Sequence, residues 1–120
     1  MQILLIEDEA NIQMVVGDYL SLKGNEVTVV TSGQEGWRCL QADPTRFAAV
    51  ITDLHLPDLR GTLLVKQMRD LAHETPVLVI GGDLDPETVA ELEGYERCMT
   101  LPKPFKFGEL EAKLTALLME

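Results

Sequence analysis

The sequence predicts a doubly wound α/β domain in which a five-stranded parallel sheet is covered by five helices. Three observations lead there. Short apolar runs alternate five times with longer amphipathic segments, the connections are a few residues long, and the first run lacks the polar alternation of a sheet with one wet face. Right-handed crossovers then place helices on both faces of the sheet. With 120 residues the chain has the length of a single domain, so residues 1–120 are expected to form one.

Gln2-Ile3-Leu4-Leu5-Ile6 is an unbroken apolar run, suited to a strand buried on both faces, and it stops at Glu7. Ile12, Val15, Val16, Tyr19 and Leu20 recur at helical spacing, and Lys23-Gly24-Asn25 supplies a basic last turn and a glycine stop. Glu26 to Thr31 is β-branched and forms the second strand. Ser32-Gly33-Gln34-Glu35 offers a capping box to a second helix that carries Trp37 and Leu40 and ends near Asp43-Pro44. Phe47 to Thr52 is the third strand. Asp53 stands just beyond it, in a loop that reaches Gly61, and a third helix follows through Leu64, Val65, Met68 and Leu71. Pro76 to Ile80 forms the fourth strand, closed by Gly81-Gly82. Asp85-Pro86 then gives an N-cap and a proline at the first helical position. The fourth helix has a thin apolar face of Val89, Leu92 and Tyr95. A short strand around Cys98 to Leu101 and a last helix with Leu110, Leu114, Leu117 and Leu118 complete the series.

Hydrophobic residues make up 46% of the chain and charged residues 25%, the ordinary balance of a folded globular domain. Twenty acidic against ten basic side chains give a net charge of -10, which repels a polyanion, so direct nucleic-acid binding is excluded from the expectations. No apolar run approaches the roughly 20 residues that span a bilayer, and no membrane association is expected. Two cysteines, Cys39 and Cys98, and no signal-like start point to a reducing cytoplasm. Neither cysteine nor His73 has a partner cluster that suggests a metal or thiol site, and Trp37 reads as a packing residue.

In open parallel sheets the functional crevice lies beyond the carboxyl ends of the strands, where the strand order reverses. Those ends carry Glu7 and Asp8, then Asp53, then Gly81 and Gly82, then Lys103. Three carboxylates and one ammonium therefore converge. Clustered carboxylates raise one another's pKa and call for a cation. Oxygen donors select a hard ion, and Mg2+ suits one or two carboxylates with several waters and a phosphoryl oxygen. Taken singly, Asp8 reads as a helix cap and Lys103 as a solvated side chain beside Pro104; their joint placement carries the argument.

Over its whole length the sequence resembles a response-regulator receiver domain of the two-component type, with the chemotaxis-regulator, flavodoxin-like fold. Ile3-Leu4-Leu5-Ile6-Glu7-Asp8-Glu9 resembles the opening strand and acidic pair. Val50-Ile51-Thr52-Asp53-Leu54-His55-Leu56-Pro57 resembles the phosphoacceptor segment, and Pro102-Lys103-Pro104-Phe105 the Lys-Pro-Phe loop. The resemblance implies that Asp53 accepts a phosphoryl group from a histidine kinase or phosphotransfer protein. Asp8, Asp53 and the backbone carbonyl of His55 would ligate Mg2+, with Glu7 acting through water. Lys103 would hold a phosphoryl oxygen, and the Lys103-Pro104 bond would be cis. Such a domain is a signalling module, at most phosphorylating and dephosphorylating itself at Asp53, and it passes its signal to an output domain or partner protein.

Two positions depart from the pattern. Gly81 stands where the family has a Thr or Ser hydroxyl, and Thr100 where it has an aromatic switch residue. Backbone amides at Gly81 and Gly82 are left to contact the phosphoryl group. His55 and Asp83 are expected to flank the pocket, either as influences on phosphoryl lifetime or as plain loop residues. Arg60 replaces an acid common in relatives and receives no role. The alternative reading is a pseudo-receiver, a binding module that works without phosphorylation. A flavin site or an aspartate-dependent phosphatase fits less well, because Glu7-Asp8-Glu9 repels a phosphate after the first strand and no nucleotide-binding glycine motif is present.

Overall fold

The computed structural model describes residues 1–71 and 73–119. Strands and helices alternate along them: β1 (Gln2–Ile6), α1 (Ala10–Leu22), β2 (Glu26–Val30), α2 (Gly33–Ala42), β3 (Ala49–Asp53), α3 (Gly61–Asp70), β4 (Val77–Gly81), α4 (Pro86–Glu93), β5 (Cys98–Pro102) and α5 (Phe107–Leu118). The strands form one parallel sheet in the order β2-β1-β3-β4-β5. The order reverses between β1 and β3, so the crevice of this fold opens between the ends of those two strands.

Each strand sends alternate side chains to opposite faces, and both faces are dry. Leu4, Ile6, Val50, Val77 and Val79 pack with Leu40 of α2, Leu64, Val65 and Met68 of α3 and Leu92 of α4. On the other face Ile3, Leu5, Ala49, Ile51, Leu78 and Ile80 meet Val16 and Leu20 of α1 and Leu110, Leu114 and Leu117 of α5. This two-sided burial explains why the central strands read as continuous apolar runs.

Boundaries move where hydrogen bonding decides what hydropathy cannot. Asp53 and Gly81 lie inside their strands as last residues, because parallel pairing continues through Asp53↔Ile80 and Gly81↔Pro102. Phe47 lies ahead of β3 and is buried in the core all the same. Tyr95 continues the helical period but lies beyond α4, packing on the core from the turn that follows. At α2 the Ser32 hydroxyl accepts from the Glu35 N–H (3.2 Å), while the Glu35 carboxylate takes the hydroxyls of Thr31 and Ser32 in place of the backbone partner of a capping box. Gly24 ends α1 at φ +91°, a left-handed conformation that glycine adopts without a Cβ penalty.

Candidate functional site

The ends of β1, β3 and β5 bring Glu7, Asp53 and Lys103 together. The Glu7 N–H donates to the Val30 carbonyl (3.0 Å), continuing the strand pairing one residue beyond β1 and burying the carboxylate completely. That carboxylate accepts the Glu9 N–H (3.1 Å), and the Gln13 side chain donates to the Glu7 carbonyl. Asp53 is fixed from both sides: Leu54 N–H donates to Ile80 (2.8 Å), and Gly61 N–H donates to the Leu54 carbonyl (2.8 Å). Glycine is needed at 61, since a Cβ there would lie 2.9 Å from the Asp53 carbonyl oxygen. The first turn of α3 therefore abuts the end of β3.

Lys103 follows β5, held by its N–H to the Gly81 carbonyl (2.7 Å), and the Lys103–Pro104 peptide is cis. Its Nζ reaches Asp53 Oδ2 at 3.2 Å, Glu7 Oε2 at 3.5 Å and Glu9 Oε1 at 3.7 Å. Glu9 is the contact that sequence reasoning missed; its signal was the acidic run itself. One oxygen each of Glu7, Asp8 and Asp53 lies within 4.8 Å of the others, with Asp8 exposed and the other two buried.

Burial raises the Glu7 carboxyl to about 7; the nearby Asp53 charge adds to the rise, and the Glu9 N–H and Lys103 oppose it. Burial works against the charge of Lys103 too, but Glu7 and Asp53 outweigh it and hold its pKa above the ordinary lysine value. One ammonium thus faces more carboxylates than it can neutralise. Hard oxygen donors left with excess negative charge fit a magnesium ion, and the fit involves Glu7, Asp8 and Asp53.

The neighbouring loops complete the surroundings. His55 N–H donates to Asp53 Oδ1 (3.3 Å), and the His55 ring, through Nε2, pairs with Asp83 Oδ1 on the loop after β4. Asp58 caps α2 from a distant part of the chain, accepting from the N–H groups of Gly33 (2.9 Å) and Gln34 (3.0 Å). Gly81 is buried and Gly82 is exposed. A Cβ at Gly81 would meet Leu54 Cβ at 3.1 Å, so Leu54 fills space beside the position where the family has a hydroxyl. Thr100 is buried, and its hydroxyl donates to Glu93 at the end of α4 (2.9 Å). His73 lies outside the cluster, its ring nitrogens directed to the Leu40 carbonyl and the Thr75 hydroxyl.

An open apolar groove of about 760 Å³ begins at Lys103 and runs between α1 and the start of α5, lined by Ile12, Val15, Phe105 and Phe107. Tyr19 stacks on Phe107 with ring centroids 4.2 Å apart and joins α1 to α5.

Residues 3–115 match the family model of the response regulator receiver domain. The chain belongs to this family. The receiver is 34% identical over 119 residues to the response regulator RppA of Synechocystis, an alignment covering 98% of this chain and 50% of that protein. It spans about half the length of the curated relatives it matches. Among solved structures it is similar to the chemotaxis protein CheY4 of Vibrio cholerae (TM-score 0.85, 27% identity, 97% of each chain). It is also similar to the receiver domain of the sensor histidine kinase PA1611 from Pseudomonas aeruginosa (TM-score 0.81, 28% identity, 99% of this chain and 98% of that one). That structure holds a magnesium ion in its active site cleft. These likenesses confirm the five-stranded, five-helix receiver fold, and they do not support the pseudo-receiver alternative. Receivers of this family are signalling modules of two-component systems, acting with histidine kinases and output domains, and they typically bind Mg2+ at an acidic site. Among the described residues no helix is long and apolar enough to cross a membrane.

Proposed function

We propose that residues 1–120 form one cytoplasmic receiver domain that takes a phosphoryl group from a phosphohistidine onto Asp53 and relays the change by protein contacts. The observation that carries this reading is the approach of Lys103 Nζ to Asp53 Oδ2 (3.2 Å) within a cluster of carboxylates too acidic for one ammonium to balance. Asp53 Oδ attacks phosphorus, the bond from phosphorus to the donor imidazole nitrogen breaks, and that nitrogen leaves with the electron pair. Lys103 holds a phosphoryl oxygen and offsets its charge. Glu7, Asp8, Asp53 and the His55 carbonyl are the groups that would hold Mg2+, Glu7 through water. When bound, the ion neutralises charge on the transferring phosphoryl oxygens. The backbone at Gly81 and Gly82 serves the phosphoryl group where relatives use a hydroxyl. Positioning and charge neutralisation are the means of catalysis, as in phosphoryl transfer generally.

The phosphodonor docks along the groove between α1 and the start of α5, which opens directly from Lys103. The net charge of -10 is consistent with a protein partner and against DNA. Incubation with acetyl phosphate and Mg2+, followed by intact mass measurement, tests the chemistry. One phosphoryl adduct is expected on the wild-type chain and none on Asp53→Asn. An equal adduct on both would place the chemistry elsewhere.

A further inference from the structure

Two loops at the mouth of the site are joined by a side-chain hydrogen bond. The loop after β3 carries His55 and Arg60; the loop after β4 carries Asp83 and Asp85. His55 Nε2 pairs with Asp83 Oδ1 across the gap between them. Asp85 is the N-cap of α4 and accepts the Thr88 N–H at 2.8 Å. Its carboxyl lies below the ordinary aspartate range, mainly through Thr88, with a smaller contribution from the charge of Arg60. The far end of α4 is tied as well, Glu93 taking both the hydroxyl and the N–H of Thr100 on β5. A histidine and an arginine thus sit on the loop that follows Asp53, and acids on the loop that leads into α4.

At the end of β4 itself, Gly81 and Gly82 present no side chain to answer a new charge on Asp53. Around Gly82 a Cβ would meet nothing within 4 Å. His55 is the polar side chain after Asp53 that crosses to the β4 loop, and its backbone N–H donates to the Asp53 carboxylate at 3.3 Å.

We propose that His55 is the phosphoryl-sensing side chain of this receiver: a phosphoryl dianion on Asp53 competes with Asp83 for the imidazole and loosens the seam that holds the loop into α4. The inference rests on the phosphoacceptor reading above and supplies the coupling that Gly81 and Thr100 leave without a hydroxyl or an aromatic ring. The direction follows from charge. A dianion is a stronger acceptor than one exposed carboxylate, and the exposed pair contributes little that must be overcome. Once Asp83 is released, the segment from Leu84 to Thr88 loses its hydrogen bond to His55 on the β3 loop, and the entry into α4 is held less firmly, by the packing of Leu84 and the attraction between Arg60 and Asp85.

The experiment is amide and histidine-ring NMR of the full chain with Mg2+, before and after beryllofluoride, on the wild type and on Asp83→Asn. Asp83 lies outside the acidic cluster and on an exposed loop, so the variant folds and keeps its metal ligands. In the wild type, beryllofluoride is expected to shift the His55 ring signals and the amides of residues 83–85, 87 and 88 together. In Asp83→Asn, the amides of residues 84, 85, 87 and 88 are expected to start near the position they reach in the activated wild type, and beryllofluoride should move them by less than a third as much. A wild-type response retained at full amplitude in Asp83→Asn would overturn the inference. So would pocket amides at Asp53 and Gly82 that shift while the His55 ring and residues 83–88 stay still, an outcome that leaves the phosphoacceptor reading standing. No shift even at Asp53 and Gly82 would remove that reading, and the inference with it.

Discussion

At the scale of single residues, the most consequential group is Glu7, a carboxylate with no exposure that shares one ammonium with Asp53. Its pKa rises from 4.5 to about 7, mainly through burial. Between those values the folded chain keeps a proton that the unfolded chain has released. By linkage, the stability of the metal-free protein falls as pH rises through that window and then levels off. The loss from this group is on the order of 3 kcal/mol. Urea unfolding in the presence of a chelator should show the decline between pH 5 and pH 8 in the wild type and a smaller one in Glu7→Gln. An equal decline in both would remove Glu7 as its cause. Asp53, Lys103, Asp8 and Glu7 were legible from their places at strand ends together with the family pattern. Glu9 was not assigned a role, because nothing in the one-dimensional pattern tells which acid of the run Glu7-Asp8-Glu9 turns back toward Lys103.

At the scale of elements, the sheet is stitched by Arg69 at the end opposite the site, where β4 and β5 begin. From α3 its guanidinium donates to the carbonyls of His73 (2.7 Å) and Thr75 (3.1 Å) before β4, and of Glu96 (3.0 Å) and Arg97 (3.1 Å) before β5. Arg97 itself holds a positive φ of 55°, so this turn is set by tertiary contacts against local preference. Removing a charged donor that serves two part-buried and two exposed carbonyls costs about 1–3 kcal/mol. Chemical denaturation of Arg69→Met should show that loss. Arg69→Lys should recover only part of it, since a single ammonium cannot fork to four carbonyls. Full stability in Arg69→Met would show that water satisfies those groups as well. Elements of this kind escape sequence reading for one reason: the partners are far apart in the chain. Asp58 caps a helix that begins 25 residues earlier, and its spacing to Gly33 carries no periodic signal. The strands and helices themselves were legible because their apolar periods are local. Their ends were less so, since hydrogen bonding through Asp53 and Gly81 extends the strands past the apolar run.

At the scale of the whole molecule, the doubly wound sheet places Glu7, Asp8, Asp53 and Lys103 at one end and leaves the helix faces for recognition. The groove that opens from Lys103 between α1 and α5 is lined by side chains that the core does not need: Val15 is 51% exposed and Phe107 40%. Val15→Glu should therefore leave stability and acetyl-phosphate labelling close to wild type, while slowing transfer from a phosphohistidine kinase domain by tenfold or more, about 1.4 kcal/mol. Equal slowing with both donors would place the effect in the chemistry and not in docking. This surface, unlike the fold, was only partly visible in the sequence: Val15 and Phe107 are apolar like core residues, and only their positions on a packed helix pair reveal that they face outward.

Phosphoryl transfer onto Asp53 requires a divalent ion, and Glu7, Asp8 and Asp53 are the carboxylates placed to gather one. Calorimetric titration with Mg2+ at pH 8, where Glu7 is ionised, tests this directly. Saturable binding of one ion is expected, weakened at least tenfold in Asp8→Asn and in Asp53→Asn. No saturable binding to the wild type, or equal affinity in all three proteins, would contradict it.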